Sequence, residues 1–213
     1  MASKILVDEL APQSHATDVT LATGKKIAGA NTQFKITGGA NTNVLSTDGA
    51  GGLTWGAPVG LFTSYAVLAD QKTSGTAGGG LTSGSWVTHD LQTEIADRDS
   101  IVSISANKFT LAAGNYFIKW TTTAFGGHYQ ANRLSSISAL SVTTLVGTGG
   151  IGRTANVDEP NINMIGMARV TPAASTDYII EQKIDTTVAT HGFGKASSLQ
   201  TETYAWVEIY KEL

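Results

Sequence analysis

The four histidines of this 213-residue chain, His15, His89, His128 and His191, are the first place to look for catalysis or metal binding. They stand singly, and no two have the spacing that lets imidazoles converge on one ion, so they read as lone surface histidines. His89 and Asp90 are adjacent, but neighbours on a strand point to opposite faces of a sheet, which makes them a poor acid–base pair. Asp97-Arg98-Asp99 and Asp158-Glu159 bring carboxylates together, as the oxygen ligands of calcium require. Both lack the regular Asp-x-Asp-x-Asp-Gly loop and read as solvated turn acids. The glycine-rich run 147–152 has neither the Gly-Lys-Ser/Thr ending nor the following helix of a phosphate loop. Gly78-Gly79-Gly80 reads as a flexible loop, and there is no Gly-x-Ser-x-Gly elbow. With no cysteine, thiolate sites and disulfides are excluded too. The expectation is a non-enzymatic protein with no catalytic residues, no cofactor and no metal.

Composition narrows the class further. Charged residues are 15% of the chain, against roughly 25% in ordinary soluble domains, and there are 24 glycines. This is a composition of short strands and turns. The net charge of −3, without a basic run, argues against nucleic acid as a partner. No apolar run approaches the roughly 18 residues of a spanning helix, and the first ten residues carry acids where a signal peptide is apolar. Membrane insertion is not expected.

The elements that must carry any function fall into two regions. Residues 1–60 read as an extended arm of short β-prone strokes: Ile5, Leu6 and Val7, then Val19 and Leu21, then Phe34 and Ile36 alternating with polar neighbours. Gly29-Ala30-Asn31-Thr32 recurs ten residues later as Gly39-Ala40-Asn41-Thr42. The arm ends in Asn43 to Trp55, where Val44-Leu45 and Leu53 to Trp55 flank a glycine-rich turn containing Asp48-Gly49. So small a hairpin does not stand alone in water and needs partners.

Residues 61–213 read as longer antiparallel strands at 64–68, 85–91, 101–105, 108–111, 115–125, 135–146, 164–171, 177–184 and 203–210, with no helical stripe. In the last strand Ala205, Val207 and Ile209 take one face, and Tyr204, Trp206 and Tyr210 the other, interrupted by Glu208. After Gly114, Tyr116, Ile118 and Trp120 oppose Phe117 and Phe125. Two apolar faces mean that the outer one is also covered, either by another subunit or by the protein's own loops.

Two resemblances are carried by these residues. The segment 43–55 resembles the aliphatic, Thr-Asp-Gly-x-Gly, Leu-x-Trp element of tail-fibre and other fibrous virion proteins of bacteriophages. Lys108 to Trp120, with Val170 to Ile180 and Thr203 to Tyr210, resembles the strand and turn pattern of complement-globular-head and tumour-necrosis-factor-like jelly rolls. Together they imply an all-β protein: an extended N-terminal β arm and neck (1–60), then an antiparallel jelly-roll sandwich (61–213) that forms homotrimers. The implied interface is Phe117, Phe125, Tyr204, Trp206 and Tyr210, with Val44, Leu45, Leu53 and Trp55 at the neck. The implied role is a virion structural protein, made in the host cytoplasm and assembled on the particle. The reading favoured is a capsid decoration (cement) protein whose arm, through Ile5, Leu6, Val7, Val19 and Leu21, contacts the major capsid protein or another virion protein. The alternative is a short tail fibre or fibre tip that binds a host-surface receptor or glycan, with Trp86, Tyr129, His191-Gly192-Phe193 and segment 186–201 as candidate surfaces.

Overall fold

The computed structural model describes residues 40, 42–47, 49–50, 52–58, 60–138, 141–145, 149–151 and 161–213. Ile5, Leu6, Val7, Val19 and Leu21 of the expected arm, His15, and the acidic pair Asp158-Glu159 lie outside the described residues. The chain divides into two compact units, Met1–Pro58 and Val59–Leu213.

In the first unit, β1 (Val44–Thr47) pairs antiparallel with β2 (Leu53–Gly56). Gly49 supplies the turn's positive φ of 80°, and its N–H donates to Thr47 Oγ1 at 3.1 Å. Leu45 faces Trp55 across the ladder, and Thr47 faces Leu53, so these apolar side chains share one face. Leu53 is nonetheless 60% exposed, as expected of a two-stranded hairpin with nothing of its own to pack on.

The second unit is all β among the described residues. Its strands are β3 (Phe62–Lys72), β4 (Trp86–Thr88), β5 (Thr93–Asp97), β6 (Val102–Ser105), β7 (Lys108–Leu111), β8 (Tyr116–Ala124), β9 (Tyr129–Ser138), β10 (Ser141–Leu145), β11 (Gly149–Ile151), β12 (Ile162–Val170), β13 (Thr176–Ile184) and β14 (Glu202–Glu212). They form a five-stranded sheet, β12-β8-β14-β3-β5, facing a seven-stranded sheet ordered β10-β9-β13-β7-β6, with β11 on β9 and β4 on β13. Every strand pairing is antiparallel, and from β7 onward the chain crosses repeatedly between the sheets. This is an antiparallel jelly-roll sandwich. No helix among the described residues is long and apolar enough to cross a membrane.

The core lies between the sheets. Along β8, buried and half-buried positions alternate for all nine residues, so Tyr116, Ile118 and Trp120 point inward. They meet Leu68, Val207 and Ile209 from their own sheet, and Phe109, Leu111, Leu134, Tyr178 and Ile180 from the other. Phe109 and Tyr178 stack at 5.6 Å. Burying each of these large side chains stabilises the fold by roughly 1.5–3 kcal/mol. Gly166 sits beside Trp120 in the β12–β8 ladder, and a Cβ there would come within 2.1 Å of the indole, so the bulk of Trp120 requires the glycine.

Three sequence expectations change. Segment 135–146, read as one strand, is the end of β9 and the start of its antiparallel partner β10. Strand β5 was not anticipated, because Thr-Glu-Ile-Ala-Asp offers little apolar alternation; it is an edge strand. Gly78-Gly79-Gly80 is packed rather than loose. Gly78 N–H donates to Gly194 O, and a Cβ on Gly80 would lie 2.2 Å from the Ala189 carbonyl oxygen.

Candidate functional site

The outer face of the five-stranded sheet is where the sequence put the interface, and three of the five expected residues are there. Strand register sets Arg169, Phe117, Tyr210 and Tyr65 in one row, Met167, Lys119, Glu208 and Val67 in the next, and Ile165, Thr121 and Trp206 in a third. Phe62 joins at the lower edge, closing an aromatic triangle with Tyr210 at 5.2 Å and Phe117 at 6.5 Å. Tyr65, Ile165 and Met167 are exposed, the last at 59%. Exposed apolar side chains on a sheet whose other face already forms the core are the kind of surface that interactions use.

Polar groups on this face pair within it. Lys119 Nζ donates to Glu208 Oε1 at 2.9 Å, and Tyr210 OH donates to Glu208 Oε2 at 2.8 Å. Burial alone raises the Glu208 carboxyl, but these hydrogen bonds and the Lys119 charge outweigh it and hold the group below its usual range. Arg169 clamps Glu212 through Nε and Nη2 at the sheet margin. Covering these two pairs would leave none of their four charges without a partner.

Tyr204 and Phe125 do not belong to this face, which corrects the sequence expectation. A bulge between Thr203 and Ala205 breaks the two-residue period, so both Tyr204 and Ala205 are buried. Tyr204 OH donates to Thr76 O at 2.7 Å, and its ring packs over Gly78 and Gly194. Burial, then the charges of Glu202 and Asp70, push its phenol up to about 12. Phe125 lies just past the end of β8 and turns inward, edge-on to His191 at 6.0 Å. These two aromatics are covered by the subunit's own loops.

Those loops form the second region of interest. Register puts the connections 73–85, 125–128 and 185–201 at the end of the sandwich opposite to Phe62 and Glu212. Beneath them runs a buried polar chain between the sheets. His89 Nδ1 lies 3.3 Å from Asp70 Oδ2, His89 Nε2 lies 3.0 Å from Gln182 Oε1, and Gln182 Nε2 donates to Gln130 Oε1 at 3.0 Å. Gln130 Nε2 ends the chain on the Gly126 carbonyl. A carbonyl only accepts, so the direction of every amide is set from that end and His89 Nε2–H is a donor to Gln182. His89 and Asp70 have no exposed surface, which corrects the reading of His89 as a surface histidine: it is the inner link of a polar chain, and no substrate atom reaches it. Asp90 turns instead to Lys72 at 2.7 Å and Asn107 at 3.0 Å. The sequence reading missed Asp70, Gln130 and Gln182; the available signal was polar residues at inward-facing positions of otherwise apolar strands.

Glu202 fastens two of the loops. Its carboxylate accepts from the backbone N–H of Ser197 (3.1 Å), Ser198 (2.7 Å) and Gly75 (3.2 Å). The Ser197 N–H contributes most to holding the group below the usual carboxylate range. Because the folded value is depressed, the stabilisation is present above the unfolded carboxylate's range and is lost as pH falls through the folded value. Glu202→Ala is expected to speed amide exchange at Gly75, Ser197 and Ser198 at neutral pH while leaving β8 protected. Wild-type loops should loosen only on acidification below the ordinary carboxylate range. Unchanged exchange in the variant would show that the loops hold without the carboxylate.

The remaining candidates resolve as structure. Asp97 caps the turn after β5, accepting from Ile101 N–H at 2.9 Å and Val102 N–H at 3.0 Å, and Asp99 accepts from Ser64 Oγ at 2.5 Å. Among the described residues no group of three or more His, Asp or Glu side chains could hold a metal ion. Gly192 and Phe193, read as surface, are buried, with Phe193 against His89 at 4.2 Å. Trp86 carries the Arg133 guanidinium over its ring at 4.0 Å, and Tyr129 is exposed.

The sheet order and face just described define the class as an all-β antiparallel jelly roll. No protein-family model matches the chain, and no curated protein matches its sequence. Solved structures similar to it include murine APRIL at pH 5.0, at 9% identity and a TM-score of 0.48, over 70% of this chain and 98% of that one. Eiger TNF from S. frugiperda is similar at 11% identity and 0.47, over 70% and 92%. The globular domain of zebrafish complement 1qA protein is similar at 18% identity and 0.44, over 69% and 95%.

Proposed function

We propose that this is a non-enzymatic structural protein of a bacteriophage particle: a homotrimeric capsid decoration protein whose N-terminal unit attaches to the shell while the jelly roll projects outward. The observation that carries the self-association is the outer face of the five-stranded sheet, where Phe62, Tyr65, Phe117, Ile165, Met167, Trp206 and Tyr210 present apolar surface around a neutralised Lys119–Glu208 pair. A second and third copy are the occupants that suit it, because each brings the same apolar rows and internally paired charges. The virion setting is supported by the 43–55 element, which resembles that of fibrous phage proteins and folds into a hairpin with exposed Val44 and Leu53. Such a hairpin gains a core when copies meet, which suits a neck. Many weakly held copies stabilise a shell by mass action without chemistry.

Quantitative mass spectrometry and immunogold labelling of purified particles test the assignment. Copy numbers comparable to the shell subunit, with label spread over the shell, are expected. A few copies confined to the tail would replace decoration with the short-fibre reading, and absence from particles would overturn both.

A further inference from the structure

We propose that the loop end of the seven-stranded sheet carries a pyranose-binding cleft, with Tyr129 as the stacking platform and Asp185 and Lys183 as its polar walls. The cleft has a volume of about 390 Å³ and is lined by Ser83, Gly84, Tyr129, Ala131, Lys183 and Asp185, among others. That is within the range of small-ligand sites. Its open, shallow shape comes from sequence: outward-facing positions on β9 run Tyr129, Ala131, Arg133, and the small Ala131 sits between large neighbours, paired across the sheet with Lys183, which pairs in turn with Trp86.

A single exposed tyrosine is ordinary, but this one is held in place. Gly126, Gly127 and His128 all adopt positive φ, at 63°, 72° and 56°. Gly127 could carry no Cβ, which would fall 1.8 Å from Ile184 Cδ1. The run is pinned at both ends: Gln130 Nε2 donates to Gly126 O, Tyr129 N–H donates to Asp185 Oδ1 at 3.0 Å, and Asp185 N–H donates to Tyr129 O at 3.0 Å. The His128 ring meets the Tyr129 ring edge-on at 4.0 Å. A non-glycine residue kept left-handed by surrounding bonds is the kind of strain that collects at ligand sites.

The lining selects the ligand class. A flat aromatic face binds the apolar C–H face of a sugar ring. Asp185 Oδ1 holds the Tyr129 N–H and Oδ2 lies 3.3 Å from His128 Nδ1, so hydroxyls would use the remaining lone pairs of that carboxylate and the Lys183 ammonium, which lies 5.9 Å over the Trp86 ring. The Tyr129 N–H bond is the main cause that holds the Asp185 carboxyl below its usual range. An extended peptide is disfavoured, because both edges of β9 here are already paired, with β11 and β13. The carboxylate disfavours nucleic acid.

Saturation-transfer NMR on the intact protein tests this, with the methyl pyranosides of glucose, galactose, mannose, N-acetylglucosamine and glucuronic acid as probes. At least one should receive saturation, strongest on its ring C–H protons. Tyr129→Ala should weaken binding about tenfold with unchanged melting, Tyr129→Trp should retain it, and Asp185→Asn should weaken it. No transfer to any of the five, transfer that survives Tyr129→Ala, or a folded Tyr129→Trp that does not bind would overturn the site. The inference goes beyond the structural role proposed above and fails separately from it: a trimer without affinity for pyranosides sinks only this site.

Discussion

Phe117→Asp is expected to turn the proposed trimer into a folded monomer, read by light scattering as a fall from three times 22.2 kDa to that mass. Phe117 is half-buried on the outer face of β8, in the aromatic triangle with Phe62 and Tyr210, while its neighbours Tyr116 and Ile118 make the core. The substitution therefore leaves the interior intact. In an assembled trimer it would put three carboxylates into an apolar contact, where an unpaired buried charge costs several kcal/mol per copy. Central aromatics of interfaces commonly contribute 2 kcal/mol or more each, so the expected loss is enough to abolish association at micromolar concentration. Trp206→Asp, on the same face, should behave likewise. Tyr204→Asp should differ, unfolding the distal loops, because that ring is inside the subunit. A Phe117→Asp variant that stays trimeric, or a wild-type monomer, would overturn the interface.

His89→Leu is the second large effect, this time on stability. Its imidazole joins Asp70 on β3 to Gln182 on β13, and so links the two sheets through the buried polar chain. Leucine fills similar space but leaves the Asp70 Oδ2 side of the contact empty and Gln182 Oε1 without its donor, both in a site with no exposure. Removing one partner from a buried charged network costs about 3–5 kcal/mol, or a fall in melting temperature of roughly 10 °C for a unit of this size. Asp70→Leu combined with His89→Leu should recover part of that loss, since the carboxylate that loses its imidazole, and keeps only Lys72 Nζ at 3.3 Å, goes with it. A single-variant loss below about 1 kcal/mol would mean that the chain is not the dry link its burial implies.

The alternation of β8 and the outward rows of Phe117, Trp206 and Tyr210 were legible from residue types alone. A strand's period of two is set by covalent geometry and needs no knowledge of the partner strand. The same holds for the 43–55 hairpin, where Asp48-Gly49 marks the turn locally, and for the absence of any helical stripe. Tyr204 shows where that reasoning stops. One extra residue in β14 relative to β3 flips the period, and a bulge is a property of the pair rather than of either strand. Phe125 fails for the same reason at a strand end, where parity ceases to apply. His89 was correctly separated from Asp90, but its true partners, Asp70 and Gln182, lie 19 and 93 residues away. Local patterning thus determined that this chain makes a β sandwich with an apolar outer face. Which polar groups meet between the sheets, which aromatics the loops enclose, and the cleft beside Tyr129 were decided by tertiary structure, because each depends on contacts that exist only once distant strands have paired.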